Sequence, residues 1–160
     1  LQILPYNRIV RDLAGMTPDS FMRTLQDRFM IADGPASPAR RGDVSMFLEG
    51  RWLTIALGEA PATATPAERL DVTRLQDAIL SPLLGIGDVR TDKRIDFVGG
   101  ARGTAELESR VGSGDASVAF SLYPVDVQDL MAITDAGGIM PPKSTWFEPK
   151  LRDGLLSHLV

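Results

Sequence analysis

Cysteine is absent from the 160-residue chain, and histidine occurs only once, as His158. The lack of cysteine excludes disulfides, thiolate metal sites and cysteine nucleophiles. A single imidazole excludes a multi-histidine metal cluster within the chain and supplies a serine–histidine triad poorly. We assign His158 no role, and we predict no metal ligands and no catalytic residues in this chain.

The chain also lacks a long apolar run and an excess of basic charge. No apolar stretch approaches the roughly 18 residues of a membrane span, and the residue order of a signal peptide is missing. There are 17 Lys and Arg against 21 Asp and Glu, which gives a formal net charge of −4. Nucleic acid is a disfavoured partner because its binders usually carry a basic face. We expect a cytoplasmic protein with no membrane partner.

What is present is ordinary for a globular protein. Hydrophobic residues make up 44% of the chain and charged residues 24%. The length suits a single domain, residues 1–160, with a substantial core. The chain opens on Leu1, directly in "LQILPYNRIV", which has the pattern of a strand already in progress. We therefore expect a fragment of a longer protein.

Strand and helix patterns alternate along the chain. The clearest is a β-hairpin over residues 44–57, with apolar residues alternating on both sides of Glu49 and Gly50. The almost continuous apolar run "ASVAFSLYPV" predicts a central strand covered on both faces. This order predicts an α/β fold, with α+β as the alternative, built on a mixed sheet of about five strands with helices packed on it.

Single residues refine this outline. Thr17, Asp71 and Asp126 each precede a helical pattern and are predicted N-caps. Pro5 cannot donate a ladder hydrogen bond, so it suggests that the first strand lies at an edge or carries a bulge.

The segment "GGIMPPKS", residues 137–144, partly matches a phosphate-binding P-loop. Pro142 replaces the second glycine and has no N–H to offer, and a helical pattern precedes the segment where a P-loop requires a strand. The P-loop is therefore rejected. Lys143, Ser144 and Thr145 remain as a stiff polar segment that either contacts a ligand phosphate or only closes the fold.

A second candidate is "RTDKRIDFVGGARG", residues 90–103, where a strand runs into a glycine-rich turn and then a helix. Backbone N–H groups at such a turn can face an anion. The candidate anion contacts are Arg94, Gly99, Gly100, Arg102 and Gly103. A dinucleotide fingerprint fails because Val98 stands where it requires glycine. The structural alternative is a tight strand-to-helix turn without a ligand.

Five segments together resemble the bacterial and archaeal family catalogued as domain of unknown function 1015. They are "LQILPYNRIV", "LQDAILSPLLGI", "RTDKRIDFVGG", "VAFSLYPV" and "MPPKSTWFEPKL". The likeness runs over nearly all 160 residues in the same order. Family members are longer, and the resemblance implies that this chain corresponds to their C-terminal part, with the N-terminal domain of the same protein as a partner.

The upstream part of the family carries an Ala-Asp-Gly-His-His-Arg motif like that of the ParB and sulfiredoxin superfamily, some of whose members phosphorylate free serine. In this chain Ala32-Asp33-Gly34 is followed by Pro35 and no histidine, so the motif is not carried over. The resemblance implies an ATP-dependent L-serine kinase as parent, with ATP and Mg²⁺ bound in the parent and no cofactor in the fragment.

On this interpretation the fragment is inactive alone and contributes ligand contacts. Arg94, Arg102, Lys143, Ser144 and Thr145 would touch the nucleotide or the phosphorylated product, because phosphoryl transfer depends on positioning and charge neutralisation. The alternative is a non-enzymatic domain that binds an anion or another protein, with the glycine turn as its site.

Overall fold

The computed structural model describes residues 1–150, which contain seven strands and four helices. The prediction for His158 falls outside the described residues. The strands are β1 (Gln2–Val10), β2 (Met30–Asp33), β3 (Asp43–Leu48), β4 (Arg51–Ala56), β5 (Ile95–Gly99), β6 (Val118–Leu122) and β7 (Thr145–Glu148). The helices are α1 (Pro18–Gln26), α2 (Asp71–Leu75), α3 (Gly103–Gly112) and α4 (Val127–Asp135). A π-helical turn, Gln76–Leu80, continues α2, and a 3-10 turn, Gly100–Arg102, precedes α3.

The strands form one sheet in the order β2-β4-β3-β6-β1-β5, and β7 pairs with the start of β1. The α/β class is confirmed, but every pairing within residues 1–150 is antiparallel, so the predicted mixed sheet of about five strands is corrected to an antiparallel sheet of seven. β5 and β6 do run in the same direction, yet β1 lies between them and the crossover through α3 skips a strand. A strand–helix–strand sequence pattern does not reveal such an inserted strand.

Only the second half of β1 lies inside the sheet; at Pro5 the strand pairs with β7 alone, so the edge position predicted from Pro5 holds for that part of β1. Residues 6–10 pair with β5 and residues 8–10 also pair with β6, whereas residues 2–5 pair with β7. Pro5 is therefore the last residue paired with β7, and its missing N–H falls where β1 changes partner. The second half of β1 is consequently buried.

The predicted hairpin is confirmed as β3 and β4. Glu49 and Gly50 both have positive φ, 49° and 80°, as a two-residue type I′ turn requires. The two strands that the sequence did not predict, β2 and β7, have only four residues each. Segments this short show too little alternation to be recognised.

Side chains of the sheet alternate between two cores. Val10 belongs to the larger core, which packs against α1, α2 and α4, whereas Ile9 belongs to the smaller core, which contains Leu107 of α3. β6 is buried along its whole length, which confirms the central strand predicted from its apolar run. Arg8 lies two residues before Val10, so it faces the larger core.

Two of the three predicted N-caps are confirmed. The Thr17 side chain accepts a hydrogen bond from the Ser20 N–H at 3.1 Å, and Asp126 forms a capping box with Asp129. Asp71 is instead the first residue of α2, and both of its carboxylate oxygens accept from the Gly42 N–H, at 3.1 and 3.0 Å. A tertiary contact has therefore replaced the local cap.

Candidate functional site

The most unusual side chain in the fold is Arg8, a charged residue at a core position of a central strand. Only 2% of it is exposed. Its cross-strand neighbours are Phe97 on β5 and Phe120 on β6, and the guanidinium lies 5.2 Å from the centroid of the Phe97 ring. Pairing within an antiparallel sheet thus fixes Arg8 among aromatic rings.

The hydrogen bonds of Arg8 go to backbone carbonyls. Nη1 donates to the carbonyl oxygen of Tyr6. Nη2 donates to the carbonyl oxygens of Lys143, at 2.9 Å, and Pro142, at 3.4 Å. These contacts join the buried end of β1 to the segment that precedes β7.

Arg8 forms no ion pair with any residue in the described part of the chain. Burial consequently lowers the pKa of Arg8 to about 9, and the Tyr6 side chain opposes this only weakly. Carbonyl dipoles solvate the guanidinium in part but leave its net charge uncompensated, whereas buried charges are normally paired. Arg8 is therefore suited to meet an anion.

Arg8 lines a cavity with a volume of about 590 Å³, which we call the Arg8 cavity. Residues from α2, from the segment after the π-helical turn and from the segment before β7 enclose it. Its lining comprises Arg8, Ala67, Glu68, Val72, Thr73, Gln76, Gly87, Asp88, Val89, Arg90, Pro141 and Pro142. Apolar atoms contribute most of the wall, although six of the twelve lining residues are polar or charged.

Gln76 supplies the second unusual polar group of the Arg8 cavity. It begins the π-helical turn, and its Nε2 donates to the carbonyl oxygens of Ile86, at 2.7 Å, and Gly87, at 3.4 Å. Its Oε1 is buried and accepts no hydrogen bond from the described residues. A buried acceptor without a hydrogen-bond partner destabilises the folded state. In addition, π-helical turns such as the one that begins at Gln76 are frequent at functional sites.

The other charged groups of the Arg8 cavity already have partners. Arg90 pairs with Asp88, with Nε and Nη2 each 3.1 Å from a carboxylate oxygen, and the side chain of Arg90 is mostly exposed. The Glu68 carboxylate accepts from the Thr65 N–H at 2.8 Å. Hydrogen bonds from Arg90 lower the pKa of Asp88. Arg8 is thus the buried charged group of the lining, and it has no counter-ion among residues 1–150.

The segment containing Lys143, Ser144 and Thr145 lies beside the cavity rather than in an isolated loop. The Lys143 ammonium is 5.3 Å from the Tyr6 ring centroid and 5.9 Å from that of Phe97. Ser144 is buried, and Thr145 begins β7 opposite Pro5. Lys143 has a φ of 55°, a left-handed conformation that is rare outside glycine.

The glycine turn shows a packing role for two of its members. A Cβ at Gly99 would lie 2.3 Å from an atom of the Trp146 ring, and one at Gly100 would lie 2.9 Å from Leu4 and Pro5. Gly103 has a φ of 69° and open space around it. The first two glycines therefore allow close approach of neighbouring elements, and their role in anion binding stays a prediction.

The two arginines of that segment differ in availability. Arg94 pairs with Asp12 at 3.2 Å and with Asp92 at 3.3 Å, and the hydrogen bond that Arg94 donates to Asp92 raises the pKa of Arg94. Arg102 is largely exposed, and among residues 1–150 its one acidic neighbour within 4.0 Å is Glu106. Arg102 is consequently the more available of the two arginines for contact with a ligand.

Sequence reasoning missed Arg8 and Gln76, although a signal for Arg8 was present. An arginine inside the apolar strand pattern "LQILPYNRIV" breaks the alternation at a position that faces the core. Gln76 gave no such signal, because its orphan oxygen depends on how the π-helical turn sets the amide against Ile86 and Gly87.

Four of the five segments that carry the family resemblance meet at this cavity. "LQILPYNRIV" contributes Arg8, "LQDAILSPLLGI" contributes Gln76, "RTDKRIDFVGG" begins at Arg90, and "MPPKSTWFEPKL" contributes Pro141 and Pro142. Segments far apart in the chain therefore converge on one site.

A separate cluster joins the segment before β3 to α4. Arg41 contacts Asp126 at 2.9 Å and Asp129 at 2.5 Å, so it binds the capping box of α4. Burial raises the pKa of Asp129, but the hydrogen bonds from Arg41 and from the Asp126 N–H, together with the charge of Arg41, outweigh it, and the net shift is downward. Among residues 1–150, no group of three His, Cys, Asp or Glu side chains is placed to hold a metal ion, and no helix there has the length and apolarity to cross a bilayer.

The fold and the site define an α/β protein with an antiparallel sheet and a solvent-open cavity lined by a guanidinium that has no counter-ion among residues 1–150. Residues 1–73 match the sequence model of the family described as "Protein of unknown function (DUF1015)", which confirms the family resemblance over that part of the chain. No curated protein matches the chain.

Two solved structures are similar to this fold. They are a free serine kinase in complex with AMP and a point mutant of a free serine kinase in complex with AMP. Each has a TM-score of 0.52 and 12% sequence identity, and each alignment covers 91% of this chain and 53% of the other. The chain thus spans about half the length of those structures, and the likeness shows a shared fold.

Proposed function

We propose that this chain is a domain of an ATP-dependent small-molecule kinase that acts on a free amino acid such as L-serine. The domain supplies phosphate contacts, is inactive alone, and takes its catalytic groups and most of its ATP and Mg²⁺ contacts from the upstream part of the longer protein. This assignment implies a cytoplasmic location, where ATP is available.

The observation that carries the proposal is the uncompensated guanidinium of Arg8 beside a cavity of about 590 Å³. Phosphoryl transfer relies on positioning and on neutralising phosphate charge, and arginine suits both tasks. The fold likeness to free serine kinases covers 91% of the chain and supports the same class. Lys143, beside the cavity, and Arg102, exposed at the start of α3, are further candidate phosphate contacts.

The test is phosphoserine formation from ATP and L-serine by a protein that contains this chain with its upstream region. We expect activity in that protein and none in the isolated chain. Arg8→Met and Lys143→Ala should each lower kcat/KM, with about 100-fold loss for Arg8→Met, equivalent to about 2.7 kcal/mol of transition-state stabilisation. Arg23→Ala, which removes an exposed cation on α1, is the matched control.

The outcomes separate the parts of the proposal. Phosphoryl transfer by the isolated chain would contradict its dependence on upstream groups. Unchanged activity in Arg8→Met and Lys143→Ala would leave the domain a scaffold, and no nucleotide use by the longer protein would refute the kinase assignment.

A non-enzymatic anion-binding domain is the second candidate, because residues 1–150 already form a cavity with a buried arginine in its lining. It predicts ligand binding without phosphoryl transfer, even in the longer protein. Ligand-dependent thermal stabilisation together with absent kinase activity would favour it.

A further inference from the structure

The size and wall of the Arg8 cavity indicate a ligand larger than a bare anion. A volume of about 590 Å³ lies within the range of sites that bury molecules of roughly drug size. The apolar wall is formed by Ala67, Val72, Val89, Pro141 and Pro142. Inorganic phosphate or a free amino acid would leave this wall largely uncovered, whereas a flat body of nucleoside size would contact it.

The electrostatics indicate that the ligand is an anion. Arg8 is buried and uncompensated in residues 1–150, and Arg90 lies at the same cavity. The two carboxylates of the lining, Glu68 and Asp88, are held by the Thr65 N–H and by Arg90. Three of the five N–H groups of the Arg8 guanidinium donate to the carbonyls of Tyr6, Pro142 and Lys143, so two remain to donate to a phosphate group.

The orphan oxygen of Gln76 adds a requirement for a hydrogen-bond donor. Its Nε2 is held by the Ile86 and Gly87 carbonyls, so Oε1 is fixed as an acceptor without a partner among the described residues. An amino or ring N–H on the ligand body would satisfy it. A carboxylate alone would not, because it has only acceptors at neutral pH.

From these features we infer that the Arg8 cavity binds a phosphomonoester of mononucleotide size, with its phosphate against Arg8 and an N–H donor of its body against Gln76. The inference rests on the proposed function for its physiological role, as the place where this domain holds a nucleotide. Binding itself requires no phosphoryl transfer, so it can be measured on the 160-residue chain.

The experiment is a calorimetric titration of the chain with AMP, O-phospho-L-serine and inorganic phosphate in parallel. We expect AMP to bind at least tenfold more tightly than the other two, because only AMP combines a phosphate with a flat body and an amino donor. Arg8→Met should weaken AMP binding at least tenfold, and Gln76→Leu should weaken it several-fold. Arg23→Met, which removes an exposed charge on α1, should bind AMP as the wild type does.

A third variant guards against misfolding of Arg8→Met, which circular dichroism would reveal. Ala67→Trp fills the cavity while leaving Arg8 in place, and it should abolish AMP binding without loss of structure. No binding of AMP, equal binding by folded Arg8→Met, or undiminished binding by Ala67→Trp would each overturn the inference. Equal affinity for phosphate or O-phospho-L-serine would overturn the mononucleotide assignment.

The two proposals fail separately. AMP binding by the chain together with no phosphoserine formation by the longer protein would remove the kinase function and leave the cavity assignment. Phosphoserine formation together with no AMP binding by the chain would remove the cavity assignment and leave the function.

Discussion

Replacing Arg8 by methionine tests whether its buried charge serves stability or ligand binding. Methionine has a similar length and no charge, so Arg8→Met removes the guanidinium and leaves an apolar chain against the Phe97 and Phe120 rings. If Arg8 stabilises the fold, its replacement should lower the free energy of unfolding by several kcal/mol. If Arg8 instead serves to bind an anion, its replacement should change the free energy of unfolding of the unliganded protein very little, because functional residues often contribute little to stability.

The magnitude follows from two opposed contributions. Burial lowers the pKa of Arg8 to about 9. Relative to an ordinary arginine, this corresponds to about 5 kcal/mol of destabilisation of the folded state while Arg8 is charged. Arg8→Met removes that cost but leaves the carbonyls of Tyr6, Pro142 and Lys143 without a donor, at about 1 to 2 kcal/mol each. The expected change in the free energy of unfolding is therefore small, within about 2 kcal/mol of the wild type.

Urea unfolding followed by circular dichroism measures this quantity. The pKa of Arg8 is lower in the folded state than in the unfolded chain, so the unfolded state binds this proton more tightly. The penalty is complete below about pH 9 and shrinks only above it, and the difference between variant and wild type should be equal at about pH 6 and about pH 8. The exposed Arg23→Met change should lie within about 0.5 kcal/mol of the wild type. A loss above about 3 kcal/mol in Arg8→Met would refute the reasoning and make Arg8 a structural residue.

Three further predictions concern the stability of other parts of the fold, each measured by urea unfolding. Gly99→Ala should cost about 2 to 4 kcal/mol, because its Cβ would lie 2.3 Å from a neighbouring indole ring. Gly112→Ala, with open space in α3, should be neutral or stabilise by up to about 1 kcal/mol, and equal losses in both would contradict the packing argument. Arg41→Ala should cost about 1 to 2 kcal/mol near neutral pH. Since the pKa of Asp129 is lowered in the fold, the difference in stability between the wild type and Arg41→Ala should disappear as the pH falls through the acid range. A difference that persisted at acid pH would contradict the role of this ion pair. Glu49→Gly should stabilise the protein by about 1 kcal/mol, because glycine adopts the φ of 49° at this position without steric strain. A lower stability of Glu49→Gly would show that the Glu49 side chain stabilises the hairpin by more than the strain costs.

Most local features followed from short stretches of sequence. The hairpin over residues 44–57 was predictable because its alternation has period two and its turn contains glycine. Thr17 and Asp126 were predictable caps because an N-cap contacts a residue only three positions along the chain. Asp71 was not, because a backbone N–H of Gly42, far away in sequence, takes its carboxylate.

The candidate site was only partly predictable. The segment around Lys143 was recognised as distinctive, and the structure places it beside the Arg8 cavity. The glycines at positions 99 and 100 were recognised as special, but the structure shows close packing there against Trp146 and β1. Sequence reasoning gave most weight to polar loops, and so it passed over the arginine inside a strand.

By itself the sequence determined the chemistry that the absence of cysteine and the single histidine exclude, because this depends on composition alone. It also determined the α/β class and the positions of most helices and strands, because these depend on contacts between near neighbours in the chain. Only the tertiary structure decided that the second half of β1 is central, that the sheet is antiparallel, and that four distant segments enclose one cavity. The physical reason is that the presence or absence of a counter-ion near a buried charge depends on every residue that folding brings close to it. Arg8 lies 134 residues from Pro142, one of its hydrogen-bond partners, and no local pattern encodes that contact.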